Sequence, residues 1–122
     1  MLYAILCYDS EETVSSWTKE EDTVVMKQLL DVQDGWAKAG KLGPVARLMP
    51  TKSAVTLRKT KSSFVVDGPF AETKEQLLGF FVVECASVDE ATERARELAQ
   101  ASRSAGAYEI RPIGFFAPGV VK

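Results

Sequence analysis

Asp67, Glu72, Lys74 and Glu75 crowd into one short segment of this chain, and Arg58 and Arg111 sit inside stretches that are otherwise apolar. A carboxylate on a turn has two uses. It can accept from backbone N–H groups of its own turn, as an Asp before Gly commonly does. Partly buried beside a cleft, it can instead hold a raised pKa and move a proton. Asp67, which precedes Gly68, fits both readings. An arginine in an apolar strand calls for an acidic partner or an anionic ligand, because a lone guanidinium is costly to bury. Arg58 and Arg111 are therefore expected to meet Asp67, Glu72 or Glu75, directly or across a bound anion. One reading makes this set a structural charge network. The other makes it a ligand site, with Asp67 as acid or base and the two arginines as an anion clamp. Glu72, Lys74 and Glu75 are then ligand contacts and not simply a solvated turn. Phe70, with Phe80 and Tyr8, would supply the apolar wall of such a site or, equally, part of a core.

The chain contains no histidine. That removes Ser-His-Asp and Cys-His nucleophiles, His-ligated metals and the usual general base at neutral pH. Any catalysis is left to carboxylates, Lys, Tyr, Cys or Arg. The two cysteines, Cys7 and Cys85, lie far apart in separate apolar runs and read as reduced core thiols. No metal or prosthetic group is expected. The formal net charge is −2, from 15 basic and 17 acidic residues that are well mixed. Without a basic stripe, a nucleic-acid partner is not indicated. The longest apolar run, residues 77–83, is too short to span a bilayer. Residues 1–8 have no basic leader and read as a strand, so the expected location is cytoplasmic.

At 122 residues, with 46% apolar and 26% charged side chains, the chain has the size and composition of one globular domain over 1–122. Residues 1–8 and 77–85 are apolar at nearly every position, the pattern of strands covered on both faces. Between them, Thr18 and Glu21 have capping-box spacing and open a helix that Gly40 is placed to end. Val25, Leu29, Val32 and Trp36 form its apolar stripe. Residues 44–49, 53–59 and 64–66 read as short strands, the last closed by Asp67-Gly68-Pro69. Residues 9–16 read as a polar connection, and residues 73–76 have room for one helical turn. Gly79, inside a strand, marks a bulge or a close backbone approach. Ser87 and Glu90 repeat the capping spacing before a helix to about 102, with Ala91, Ala95, Leu98 and Ala99 as a narrow stripe. Residues 108–116 read as the last strand, broken at Pro112.

The resulting order is that of an α+β, ferredoxin-like β-α-β-β-α-β subunit with an inserted short strand pair. Two helices cover one face of such a sheet. The second face needs a cover, and another copy of the same sheet is the simplest one. This predicts a homodimer in a dimeric α+β barrel, with Val83 on the face that meets the partner. The first strand and 77–85 then run antiparallel, which puts Cys7 and Cys85 at opposite ends of the pair and forbids a disulfide.

The run Asp67-Gly68-Pro69-Phe70-Ala71-Glu72-Thr73-Lys74-Glu75-Gln76-Leu77-Leu78-Gly79-Phe80 resembles the signature of the DGPF-domain branch of the YCII-related family. The likeness extends to Thr56-Leu57-Arg58, Glu109-Ile110-Arg111-Pro112, the opening Tyr3 to Tyr8 spacing, Ala39-Gly40 and Gly43-Pro44. It implies a ferredoxin-like subunit, a dimeric barrel and a cleft near the DGPF turn that takes a small organic molecule, an anionic one in the reading that uses the arginines as a clamp. It leaves enzyme status open. A cofactor-free isomerase- or lyase-like enzyme with carboxylate chemistry is one alternative. Some family members carry a His-Asp pair for small aromatic or lactone-like molecules, which a chain without histidine cannot inherit. The other alternative is a non-catalytic regulatory dimer, since members of the DGPF branch often occur beside alternative sigma factors.

Overall fold

The structure is a computed structural model that describes residues 1–102 and 104–121. The first strand, β1 (Leu2–Asp9), leads through a short helix, α1 (Glu11–Ser15), into the long helix α2 (Lys19–Lys38). Then come β2 (Leu42–Arg47), a 3-10 turn at Thr51–Ser53, β3 (Val55–Arg58), β4 (Phe64–Asp67) and β5 (Gln76–Glu84). Helix α3 (Val88–Ala101) and β6 (Ala107–Pro112) complete the order. Four strands form one antiparallel sheet in the order β2-β5-β1-β6, while β3 and β4 pair only with each other.

The α2 capping box forms as its spacing predicts. Thr18 Oγ1 accepts from the Glu21 N–H at 3.1 Å, and Glu21 Oε1 accepts from the Thr18 N–H at 3.0 Å. At the other end Gly40 takes φ +71°, and the Lys41 N–H donates to the Trp36 carbonyl at 2.9 Å. The left-handed step closes the last turn and needs a residue without a Cβ. Thr18→Ala is expected to lower stability by about 1 kcal/mol in urea unfolding, with the slope unchanged. At α3, Ser87 Oγ accepts from the Glu90 N–H at 3.2 Å, and the Glu90 carboxylate reaches back to Ala86 N–H at 3.0 Å.

Both long helices lie on one face of the sheet. Alternate residues Tyr3 and Ile5 of β1 and Phe81 and Val83 of β5 are buried there with Trp36 of α2 and Ala91, Ala95 and Leu98 of α3. Trp36 meets Phe81 edge-on, with ring centroids 6.2 Å apart, and its Nε1–H donates to Glu97 at 2.9 Å. Val83 therefore belongs to this core, not to the open face where it was expected. The pleat sends its neighbour Val82, with Ala4, Leu6 and Phe80, to the opposite side.

The β1–β5 register shifts between Cys7 and Tyr8, which face Gly79 and Leu77, so Leu78 is the extra residue of a bulge. Beside it, a Cβ on Gly79 would stand 2.6 Å from the Ala46 carbonyl oxygen of β2. The glycine is what lets the edge strand approach. Cys7 and Cys85 are free and lie at opposite ends of the β1–β5 pair, as predicted.

Within one subunit the described strands form no closed barrel: β2 and β6 are sheet edges, and β3–β4 stands apart from the sheet. Three other expectations are corrected. Residues 73–76 make no helical turn, because the Gln76 amide donates to the carbonyls of Ala71 and Thr73 at 2.9 and 3.2 Å and holds an open loop. The last strand stops at Pro112, which cannot donate to a ladder. The polar connection 9–16 contains α1, capped by Ser10 Oγ accepting from the Thr13 N–H at 3.2 Å.

Candidate functional site

The charged residues singled out by type do not converge. Asp67, Phe70, Glu72, Lys74 and Glu75 are all exposed on the β3–β4 hairpin and the loop that follows it. Arg58 is exposed too, and its guanidinium lies over the Phe70 ring, 5.0 Å from the centroid. Arg111 is on edge strand β6, opposite Ala4 and away from that loop. Among the described residues, neither arginine pairs with Asp67, Glu72 or Glu75. The expected contact is absent for a topological reason. A two-stranded hairpin has no second layer, so Arg58 can solvate its own charge and needs no carboxylate. Among the described residues, none donates a hydrogen bond to the Asp67 carboxylate. Gly68 carries the bend instead, at φ +104°, with its N–H donating to Ala54 and its carbonyl accepting from Thr56 Oγ1 at 2.9 Å.

A cavity lies between α2 and the end of the sheet where β1 finishes. It is half-open, about 190 Å³ in volume, and is walled by Val25, Met26, Leu29 and Gln33 of α2, by Cys7, Tyr8 and Asp9 of β1, and by Tyr108 of β6. Leu78, Gly79 and Phe81 of β5 form its floor. The β5 bulge and the small side of Gly79 are thus what shape this end of the sheet. Val14 and Trp17, on and just after α1, close one side. Helix α1 is held down by Glu11, whose carboxylate accepts from the Thr51 N–H at 2.6 Å and from the Thr51 hydroxyl. At the rim Arg47 grips Asp22 through two contacts of 2.9 and 3.3 Å.

Cys7, Tyr108 and Gln33 are among the polar side chains that line this cavity, with Asp9, Ser102 and Ser104. Burial, reinforced by the Asp9 charge, pushes the Cys7 thiol from 9.0 up to about 12. Burial likewise pushes the Tyr108 phenol from 10.0 up to about 12, with Cys7 and Asp9 adding to it and Ser102 opposing. Both side chains are neutral across the physiological range. The third group is Gln33, only 9% exposed, whose amide has no hydrogen-bond partner among the described residues. Its amide atoms are not among the buried unpaired side-chain atoms of the described residues, so they keep access to water in the open cavity. Gln33 follows Leu29 by one helical turn on the apolar stripe of α2, and a polar residue at that position was the signal that type and spacing arguments passed over.

The raised pKa values make an expected pH profile. Below about pH 9 the two groups are protonated in both folded and unfolded chains and contribute nothing to the slope. Above it the unfolded chain releases protons that the folded chain keeps, so stability falls as pH rises toward about 12. Thermal unfolding followed from pH 7 to 11 should stay level and then decline, and Cys7→Ala should make the decline shallower.

The YCII-related domain model matches residues 1–117. This chain belongs to the YCII-related family. An uncharacterized protein of Rhizobium meliloti (strain 1021) is similar to it, 57% identical over 120 residues, which is 98% of this chain and 97% of the relative. The YCII-related match takes in β1, α2, β5 and β6, and so every described wall of the cavity. No helix among the described residues of this YCII-related chain is long and apolar enough to cross a membrane.

Proposed function

We propose that this YCII-related protein is a homodimer that binds a small organic molecule in the cavity between α2 and the sheet. The carrying observation is the cavity itself: about 190 Å³, mostly apolar, with the Gln33 side chain on its wall. An apolar cavity of about 150 Å³ already takes up a benzene-sized molecule, so a compound of one ring or slightly more fits. The sheet order β2-β5-β1-β6 with both long helices on one face supports a ferredoxin-like subunit with β3–β4 as the insertion. The signature over residues 67–80 supports the DGPF branch.

Dimerisation is supported by area. The subunit exposes 8667 Å², whereas a folded monomer of its mass exposes roughly 6,500 Å². A stable interface hides about 800 Å² on each partner, well within that excess. The excess is apolar in the right places. Val55, Leu57, Val65, Val66 and Phe70 are exposed on the hairpin and its loop, and Leu6 and Phe80 lie on the open face of the sheet. In this reading the charged set Arg58, Asp67, Glu72, Lys74, Glu75 and Arg111 lies along the surface that a second subunit completes.

Amide chemical-shift mapping with a set of single-ring fragments tests the location. Hits should perturb Cys7, Gln33, Leu78 and Tyr108 together. Perturbations confined to 67–75 would move the site to the DGPF turn, and a set without hits would remove the binding function.

A further inference from the structure

We propose that α1 and Trp17 form a hinged lid over the cavity, and that Glu11 latches this lid on Thr51. The inference rests on the cavity being the binding site, to which the lid admits a ligand. Glu11, Val14 and Trp17 follow one another at three-residue spacing, so one side of the segment carries all three inward. They are half-buried, while Glu12, Thr13, Ser15 and Ser16 between them are exposed. Val14 and Trp17 line the cavity on one side and, on the other, an open groove that reaches Pro50 and Lys52. These two side chains are thus part of the partition between the enclosed space and the outer surface. Lifting them joins the cavity of about 190 Å³ to the groove and clears a path to Cys7 and Tyr108.

The segment can move as a unit. Both of its ends are helix caps, where the chain leaves helical geometry: Ser10 at φ −74°, ψ 118° and Thr18 at φ −67°, ψ 164°. Residues at the ends of elements are where hinge rotation is taken up. A helix of five residues with no buried side chain gains little from its own backbone bonds, so its position depends on what ties it down. The tie is Glu11, whose carboxylate accepts from the Thr51 N–H at 2.6 Å and from the Thr51 hydroxyl. Hydrogen bonds to an ionised acceptor are strong ones. Both end on the same side chain, so one rotation of Glu11 releases the segment. Helix α2, by contrast, is fixed to the sheet by Trp36 against Phe81, so the opposite wall stays in place while the lid lifts.

Cys7 reports the lid, and Cys85 reports the rest of the fold. Cys7 lines the cavity, whereas Cys85 is 3% exposed in the core with α3. Methyl methanethiosulfonate, a small uncharged thiol reagent, is the probe, and mass spectrometry of the two peptides reads each labelling rate at one fixed pH. Glu11→Ala should label Cys7 at least fivefold faster than wild type, with the Cys85 rate unchanged. Thr51→Val removes the hydroxyl and keeps the N–H, so it should raise the Cys7 rate by less. The two substitutions together should add nothing to Glu11→Ala alone, because both break one latch. Trp17→Ala, which shortens the lid without touching the latch, should also expose Cys7. A Cys7 rate in Glu11→Ala that stays at the wild-type value, or that rises only in step with Cys85, overturns the lid and leaves the cavity as a site. Single-ring fragments that perturb nothing around Cys7 remove the site instead, and the lid's role in admitting a ligand goes with it.

Discussion

Trp36→Ala should destabilise the protein by roughly 3–5 kcal/mol, the range for truncating a buried aromatic. Set against a total of about 5–15 kcal/mol for a typical domain, this places the variant near the edge of folding. Trp36 joins the two helices to the sheet at one point. It is buried among the core side chains, stands edge-on to Phe81 of β5, and donates to Glu97 of α3. Truncation therefore opens a void between three elements that cannot collapse together without moving the sheet. Trp36→Phe separates the two contributions. It keeps most of the apolar contact and loses the Nε1 hydrogen bond, so it should cost only about 1–2 kcal/mol. Urea unfolding followed by circular dichroism measures both. A Trp36→Ala midpoint within error of the wild type would mean that α2 does not pack as described.

Light scattering should return twice the 13.4 kDa subunit mass at micromolar concentration, and Val65→Glu should reduce it to one subunit. Val65 is 63% exposed on β4, so a carboxylate there costs the isolated subunit almost nothing. Buried in a subunit contact, the same carboxylate would lose its water with no partner to replace it, a penalty of several kcal/mol. The variant thus separates association from folding, and its circular dichroism should be that of the wild type. Leu6→Glu repeats the test on the open face of the sheet, where Leu6 lies beside Phe80. A wild-type protein that scatters as one subunit would leave the hairpin and the open face without the cover proposed for them.

The core and its boundaries were legible because they obey local rules. Capping spacings at Thr18 and Ser87 placed both long helices to within a residue or two. Continuous apolar runs marked the two central strands, and Gly79 announced the close approach that the Ala46 carbonyl makes there. These signals are short-range, and each is carried by the residues of one element.

The site was not legible in the same way. Charge density singled out residues 67–75, with Arg58 and Arg111, yet a run of charged residues states only that a segment tolerates water. Whether two such residues meet is decided by which strands pair. Here β3–β4 folds as a separate hairpin, which leaves Arg58 on Phe70 and keeps Arg111 on a distant edge. The cavity, in turn, draws its walls from β1, α2, β5 and β6, segments far apart along the chain. Gln33 is an ordinary helix residue until α2 turns it toward the sheet, and Cys7 and Tyr108 become neighbours only through the β1–β6 register. Sequence alone determined the family, the two long helices, the central strands and the face each long helix buries, because those follow from local pattern. Tertiary structure alone decided where the enclosed polar groups converge, because enclosure is a property of surfaces brought together.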